Sequence, residues 1–363
     1  MAAAGKAAAA MAAAVEQRWP SAAPLSGIAI TRYGHGAPTR RIRVVEAGHP
    51  VPDEAGETAA RGILQAVRQL GPDDLLLALL SGGGSSLLSL PGPGITISQL
   101  KDLTGQLLRS GAPIQEMNAV RKHLSAIAGG RLAAATRARV LALIISDVTG
   151  DDPTHIASGP CVADPTTVED AKAILARYRI DFRGPFSESP KSVEAVNKVI
   201  ATAYRSLEAG AEVFRRQGIR AEILGDTITG EASEVGREMA QLALRTKGPA
   251  ALISGGECTV TVGAGGGRGG RCAEFLLALG ISLQDKSNIW AIAADTDGID
   301  GTEDNAGALL APDSLARARA SGIDPRAMLA AHDSYGFFSA LGDLVVTGPT
   351  RTNVNDYRAI LVR

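Results

Sequence analysis

The residues best suited to chemistry sit in short polar loops directly after apolar runs, the places where open α/β sheets bind ligands. Residues 78–86 read ALLSGGGSS. Gly82, Gly83 and Gly84 leave backbone N–H groups unshielded, and Ser81, Ser85 and Ser86 add hydroxyls, a composition suited to cradling phosphate or carboxylate oxygens. The same residues serve equally well as a tight turn without a ligand. A second glycine tract, residues 263–271, reads GAGGGRGGR and opens a helix at Cys272. It brings Arg268, Arg271, Gly269 and Gly270 to a helix N-terminus, where the dipole and the guanidinium forks both favour an anion. Gly5 and Lys6 open another helix. A lysine in a first turn opposes the helix dipole, so it reads either as the partner of a bound anion or as a solvated side chain.

Acidic groups recur at the same kind of position. Residues 146–160 read SDVTGDDPTHIASGP and residues 294–301 read ADTDGIDG, which puts Asp147, Asp151, Asp295 and Asp297 just beyond strands. Carboxylates there can hold Mg²⁺ or take a proton from an attacking hydroxyl, although Asx turns account for isolated Asp-Gly pairs as well. Asn353, Asn355 and Asp356, in the loop 347–356 (TGPTRTNVND), are candidate readers of hydroxyls. Arg121, Lys122 and His123 form a short basic cluster on a helix, the kind of cluster usually solvated.

Several classes are excluded or weakened. The five histidines show no metal-ligand spacing, and neither HExxH nor GxSxG occurs, which removes support for a zinc protease or a serine hydrolase. No Gly-Lys-Ser/Thr and no HRD or DFG set is present, so a kinase here belongs to neither large class. Gly265, Gly267 and Gly270 satisfy GxGxxG between a strand and a helix, with Asp295 following 25 residues later, a formal match to a nicotinamide-dinucleotide fingerprint. The long, arginine-bearing loop argues against it, because that fingerprint makes a tight turn straight off its strand.

The elements that must position these loops read as α/β. Short apolar runs such as 75–80, 140–146, 250–254 and 289–293 alternate with amphipathic stretches such as 54–69, 97–109, 114–128, 204–217 and 231–245, the pattern of a βαβ protein with parallel strands. At 363 residues the chain has room for about two domains, and a boundary is expected near Gly225–Gly230, giving domains 1–225 and 226–363. A net charge of −1 leaves no surface field for nucleic acid or a membrane. The absence of any ~18-residue apolar run predicts no transmembrane helix. Cys161, Cys258 and Cys272 make no CxxC pair, which fits a reducing cytoplasm.

Taken together, GKAAAAMA, LLSGGGSSLL, NAVRKHLSAIAGGRLA, ISDVTGDDPTHIASGP, ISGGECTVTV, GRGGR, DTDGIDG and TGPTRTNVND resemble, in order and along the whole chain, the glycerate 2-kinase (MOFRL) family. The resemblance implies a Rossmann-like N-terminal domain and a smaller α/β MOFRL domain with the active site in the cleft between them. It implies ATP and Mg²⁺, D-glycerate as acceptor and 2-phosphoglycerate as product, in a cytoplasmic enzyme, with a homodimer left open. An NAD(P)H-dependent hydroxypyruvate reductase, a label many members carry, is the alternative. By motif, Lys6 and Arg271 match the proposed active-site lysine and arginine and would neutralise the transferred phosphoryl group. Asp147 and Asp297 join them as catalytic candidates, and Asp151 and Asp295 as metal ligands, with base and ligands not distinguished. Ser81, Gly82, Gly83, Gly84, Ser85, Ser86, Arg121, Glu257, Gly269, Gly270 and Asn353 would bind nucleotide or acid. Three departures stand out. The family's Glu-Thr-Thr is Glu257, Cys258, Thr259 here. The family's Gly-Arg-Asn-Gln-Glu run is Gly270, Arg271, Cys272, Ala273, Glu274 here. The chain also starts almost at the GKAA loop, so the leading strand is expected to be missing, with the sheet lacking a neighbour, Lys6 poorly anchored and stability low.

Overall fold

Leu76–Leu80 carries no polar alternation, the pattern of a strand buried on both faces, and all five residues are buried at the centre of a sheet. The computed structural model describes residues 1–262, 266–284, 286 and 288–363. The chain divides into two units, Met1–Ile200 and Ala201–Arg363. The expected boundary near Gly225–Gly230 falls inside the second of them.

The first unit runs β1 (Ala2–Ala4), α1 (Ala8–Arg18), β2 (Gly27–Arg32), β3 (Ile42–Ala47), α2 (Glu54–Arg68), β4 (Leu75–Leu80), α3 (Gly84–Leu87), α4 (Ile97–Arg109), α5 (Ile114–His123), α6 (Arg131–Ala134), β5 (Arg139–Ile145), α7 (Val168–Arg177) and β6 (Val196–Ala201). Its sheet order is β3-β2-β1-β4-β5-β6, and the pairs β3–β2, β2–β1, β1–β4 and β4–β5 are all parallel. This is the strand order of open dinucleotide-binding sheets.

The leading strand expected to be missing is present. Ala2, Ala3 and Ala4 pair with Ile28, Ala29 and Ile30 on one side and with Ala78, Leu79 and Leu80 on the other. Three alanines carry little β-propensity, and what makes them a strand is the pair of neighbours that bury them. Lys6 is correspondingly well anchored: its N–H donates to Gly82 O at 2.8 Å, and the Gly5 N–H donates to Ile30 O at 3.1 Å.

The second unit runs α8 (Ala203–Arg216), β7 (Arg220–Gly225), β8 (Gly230–Glu231), α9 (Ala232–Arg245), β9 (Ala250–Ser254), β10 (Cys258–Thr259), α10 (Arg271–Leu283), β11 (Ile289–Asp295), β12 (Gly307–Leu310), α11 (Ser314–Ala320), α12 (Pro325–Ala330), α13 (Ser334–Leu341), β13 (Leu344–Val345) and β14 (Asp356–Val362). Its main sheet, β13-β12-β11-β14-β9-β7, corrects the expectation of parallel strands throughout: only β7–β9 is parallel, and the other four pairs are antiparallel. Apolar runs report burial, not direction, and here the last strand returns between β11 and β9. Helix α10 is buried nearly all round, with Phe275, Leu276, Leu277 and Leu279 against the sheet and its neighbouring helices. Among the described residues no helix is long and apolar enough to cross a membrane.

The helix expected over 114–128 stops at His123, because the chain turns at Ser125, whose Oγ accepts from the N–H groups of Ile127 and Ala128. The basic cluster on α5 is likewise not a solvated face. Lys122 and His123 are buried, and Lys122 Nζ lies 3.3 Å from Asp164 Oδ1. Burial pushes the Asp164 carboxyl up, but hydrogen bonds from Ser189 and Thr166 and the Lys122 charge outweigh it and hold the group below its usual value. Removing one partner of such a pair strands the other charge. Lys122→Met is expected to destabilise the fold by ~3 kcal/mol or more, read as a lower urea midpoint, whereas an unchanged midpoint would show the pair to be dispensable.

Candidate functional site

In an open sheet of this strand order ligands bind at the carboxyl ends of the strands, where the order reverses. That point lies between β1 and β4, and the two loops leaving it are Gly5–Lys6 and Ser81–Ser86. They are laced together. The Ser81 N–H donates to Ala4 O at 3.1 Å, and the Ala7 N–H donates to Ser81 Oγ at 3.0 Å. Gly5 has φ +129, and a Cβ there would lie 2.1 Å from Ser81 Oγ, so only glycine lets the loops approach this closely. A Cβ on Gly83 would meet His49 at 2.8 Å and the Lys6 stem at 3.4 Å, which places Lys6 over the glycine loop. Helix α1 begins beside Lys6 with no side-chain cap and no acidic residue in its first turn.

The SGGGSS loop offers fewer donors than its glycines suggested. The N–H groups of Gly84, Ser86 and Leu87 are spent on the loop's own turn. Its far side rests on the end of the 146–160 loop, where the sequence had pointed to the aspartates and not to Ala157 and Ser158. Ala157 and Ser158 both adopt left-handed backbone (φ 51 and 57), a strained state for non-glycine residues that the surroundings must enforce. Ser158 Oγ lies 2.9 Å from Ser85 Oγ and 3.3 Å from Asn118 Oδ1, and a Cβ on Gly84 would lie 2.5 Å from Ala157 Cβ. Gly84→Ala is therefore expected to destabilise the protein by ~1–3 kcal/mol by overpacking and to displace Ser85, read as a lower melting temperature. Asn118 and Ser158 left no sequence signal beyond lying within the quoted motifs NAVRKHLSAIAGGRLA and ISDVTGDDPTHIASGP. Arg121 closes the same region, on the wall of a small pocket with Ser85, Ser86 and Ser158.

Asp147 lies two residues beyond the end of β5, and Asp151 follows in a left-handed turn with φ 55. Asp151 belongs to the first unit and Asp295 to the second. Among the described residues no group of three His, Cys, Asp or Glu side chains is arranged to hold a metal ion.

In the second unit the residues expected to meet an anion are engaged with carboxylates. Arg271, the first residue of α10, places Nε 2.7 Å from Asp356 Oδ1, Nη2 2.7 Å from Asp295 Oδ2 and Nη1 3.3 Å from Glu257 Oε1. Burial works against its charge, but the surrounding carboxylates prevail and raise its pKa above the ordinary arginine value. Asp356, read from sequence as a hydroxyl reader, is instead buried between two guanidiniums, its other oxygen 2.8 Å from Arg358 Nη2. Asp297 N–H donates to Asp295 Oδ1 at 3.0 Å. Burial, reinforced by Asp297, pushes Asp295 up to about 7 even with Arg271 beside it. Asp297, Asp300 and Asp356 are buried as well, and the nearby Asp297 and Asp356 carboxylates add to the upward push that the Arg271 charge opposes.

The N-terminus of α10 is not open to a phosphate. Asp300 accepts from the N–H groups of Cys272 (3.0 Å) and Ala273 (2.9 Å), and Gly270 is required because a Cβ there would lie 2.2 Å from Asp300 Oδ1. Gly263 and Gly265 of the glycine tract lie outside the described residues. The rest is pinned: the Gly267 N–H donates to Ala331 O, a Cβ on Gly269 would meet Ser334 Oγ at 2.3 Å, and Arg268 stacks on Tyr335 with its guanidinium carbon 4.9 Å from the ring centre. Asn353 Oδ1 accepts from the Asn355 N–H at 3.3 Å, and both side chains are buried.

Residues 1–196 match the family described as a domain of unknown function (DUF4147), and residues 250–356 match the MOFRL family. The chain is 57% identical over 377 residues to a putative hydroxypyruvate reductase of Agrobacterium vitis, spanning 99% of this chain and 86% of that one. It is 40% identical over 345 residues to the D-glycerate 2-kinase of Thermotoga maritima, spanning 91% of this chain and 82% of that one. The crystal structure of Thermotoga maritima glycerate kinase matches with a TM-score of 0.92 at 39% identity, covering 100% of this chain and 91% of that one.

Proposed function

Because the chain belongs to the glycerate 2-kinase (MOFRL) family, we propose that it transfers the γ-phosphoryl group of ATP to the 2-hydroxyl of D-glycerate. The hydroxyl oxygen attacks the γ-phosphorus, the bond to the β–γ bridging oxygen breaks, and ADP and 2-phosphoglycerate leave. The observation that carries this reading is Lys6, held by its own backbone between β1 and β4 beside the start of α1, whose first turn carries no acidic residue. A cation and a helix N-terminus at that point suit phosphate oxygens. Asp147, in the same unit as Lys6, would take the hydroxyl proton.

Mg²⁺ would arrive with ATP and neutralise charge on its phosphates. It needs only one or two protein carboxylates besides those phosphates, so the lack of a three-ligand cluster among the described residues does not conflict with it. Asp147 and Asp151 are the first unit's candidates to hold it. Asp295 is a poorer one, since Arg271 and the Asp297 N–H already occupy its oxygens. A cytoplasmic setting suits the ATP requirement and the three free, buried cysteines.

The reductase alternative has less support. Where a dinucleotide sheet carries its glycine fingerprint, directly after β1, this chain reads GKAAAA. The other formal match lies ahead of α10, whose first N–H groups are held by Asp300. Incubation with D-glycerate, ATP and Mg²⁺, followed by phosphorus NMR, should give 2-phosphoglycerate, and NADH with hydroxypyruvate should not turn over. The reverse pair of results would replace the kinase by the reductase.

A further inference from the structure

We propose that Arg121 binds the carboxylate of the acceptor, so that the enzyme selects short 2-hydroxy acids over neutral alcohols. The proposal rests on the kinase reading and narrows it to one subsite in the first unit. Arg121 is half-buried near the end of α5, and its Nε donates to Thr104 Oγ1 at 3.4 Å. Burial pulls its pKa below the ordinary arginine value, and among the described residues no carboxylate raises it again. The contrast with neighbouring and comparable cations is sharp. Lys122 faces Asp164, Arg358 faces Asp356, and Arg271 faces three acids. A desolvated guanidinium without an anion is unfavourable unless a ligand supplies one.

The pocket beside Arg121 supplies the rest of the argument. Ser85, Ser86, Ser125, Ser158 and Thr104 line it together with apolar Leu88 and Leu100. Its volume is about 30 Å³, room for two or three water-sized atoms. That matches the two oxygens of a carboxylate, which the planar guanidinium fork binds in bidentate fashion, and it is too small for a triphosphate or a base. The pocket also adjoins the right loop. Ser85 and Ser86 belong to the segment whose Gly82 carbonyl fixes Lys6, so an acid anchored by Arg121 keeps its hydroxyl near the phosphate-binding end. The strained Ala157–Ser158 backbone, locked through Ser158 to Ser85, holds the wall in place.

The test compares parent, Arg121→Met and Arg121→Lys. The methionine variant should raise KM for D-glycerate by ~10²-fold or more while KM for ATP stays within about threefold, and lysine should recover only part of the loss because a point charge lacks the fork. A rise in KM for ATP instead, or an unchanged glycerate KM in a folded variant, overturns the assignment. Should both variants fail to fold, the parent protein still decides: without nucleotide, its melting temperature should rise with D-glycerate and not with glyceramide. Equal shifts overturn the proposal. The melting comparison needs no turnover, so a parent that binds D-glycerate selectively but phosphorylates nothing refutes the kinase reading and leaves the carboxylate pocket standing.

Discussion

Lys6→Met is expected to lower turnover with D-glycerate and ATP by ~10³-fold or more, the scale on which a single cation aimed at a transferring phosphoryl group acts, with little change in melting temperature. The two halves of that expectation have separate causes. The residue's place is fixed by its backbone, through the hydrogen bond to Gly82 O and the pairing of β1 immediately before it. Methionine keeps that backbone and an apolar stem of similar length over Gly83, the position the Lys6 stem now occupies. What it removes is the ammonium. A folded Lys6→Met protein with parental turnover would take Lys6 out of the chemistry and with it the main support for the kinase site. A loss of stability as large as the loss of activity would instead mark the lysine as structural.

Arg271→Ala is expected to act on stability and on rate together. Three carboxylates converge on this guanidinium, two of them buried, and removing it leaves Asp295 and Asp356 without their shared cation. Loss of one partner from a buried ionic cluster costs ~3–5 kcal/mol, partly offset here because Arg358 still pairs with Asp356. The pH dependence has a definite sign. Asp295 titrates near about 7 in the folded protein, above its unfolded value, so the stability that comes from its bound proton is present at low pH and is lost as pH rises through about 7. Without Arg271 its pKa rises further, and the melting temperature of the variant should fall with pH over a wider range than that of the parent. If Arg271 also stabilises charge on the transferred phosphoryl group, turnover well below the melting temperature drops by ~10²-fold or more. Parental turnover under those conditions would leave it a purely structural residue, which its carboxylate cage already explains.

The local features of this protein were legible in its residues. Leu75–Leu80 and Ala250–Ser254 are strands because nothing polar interrupts them, and Glu54–Arg68 is a helix because its apolar residues recur at helical spacing behind an Asp53 cap. The order of glycine-rich and acidic loops carried the family. The tertiary structure decided what depends on distant partners. Ala2–Ala4 has no strand propensity and becomes a central strand only because two neighbours bury it. The direction of β11, β12 and β14 follows from the path of the chain, which an apolar pattern does not encode. Charge partners are also non-local: Arg271 meets acids 24 and 85 residues away, and Lys122 is neutralised by Asp164, 42 residues on. Arg121, next to it in sequence, has no carboxylate partner among the described residues. A run of basic letters looks the same in both cases, because sequence records which charges exist, and only folding sets which of them lose their water and what replaces it.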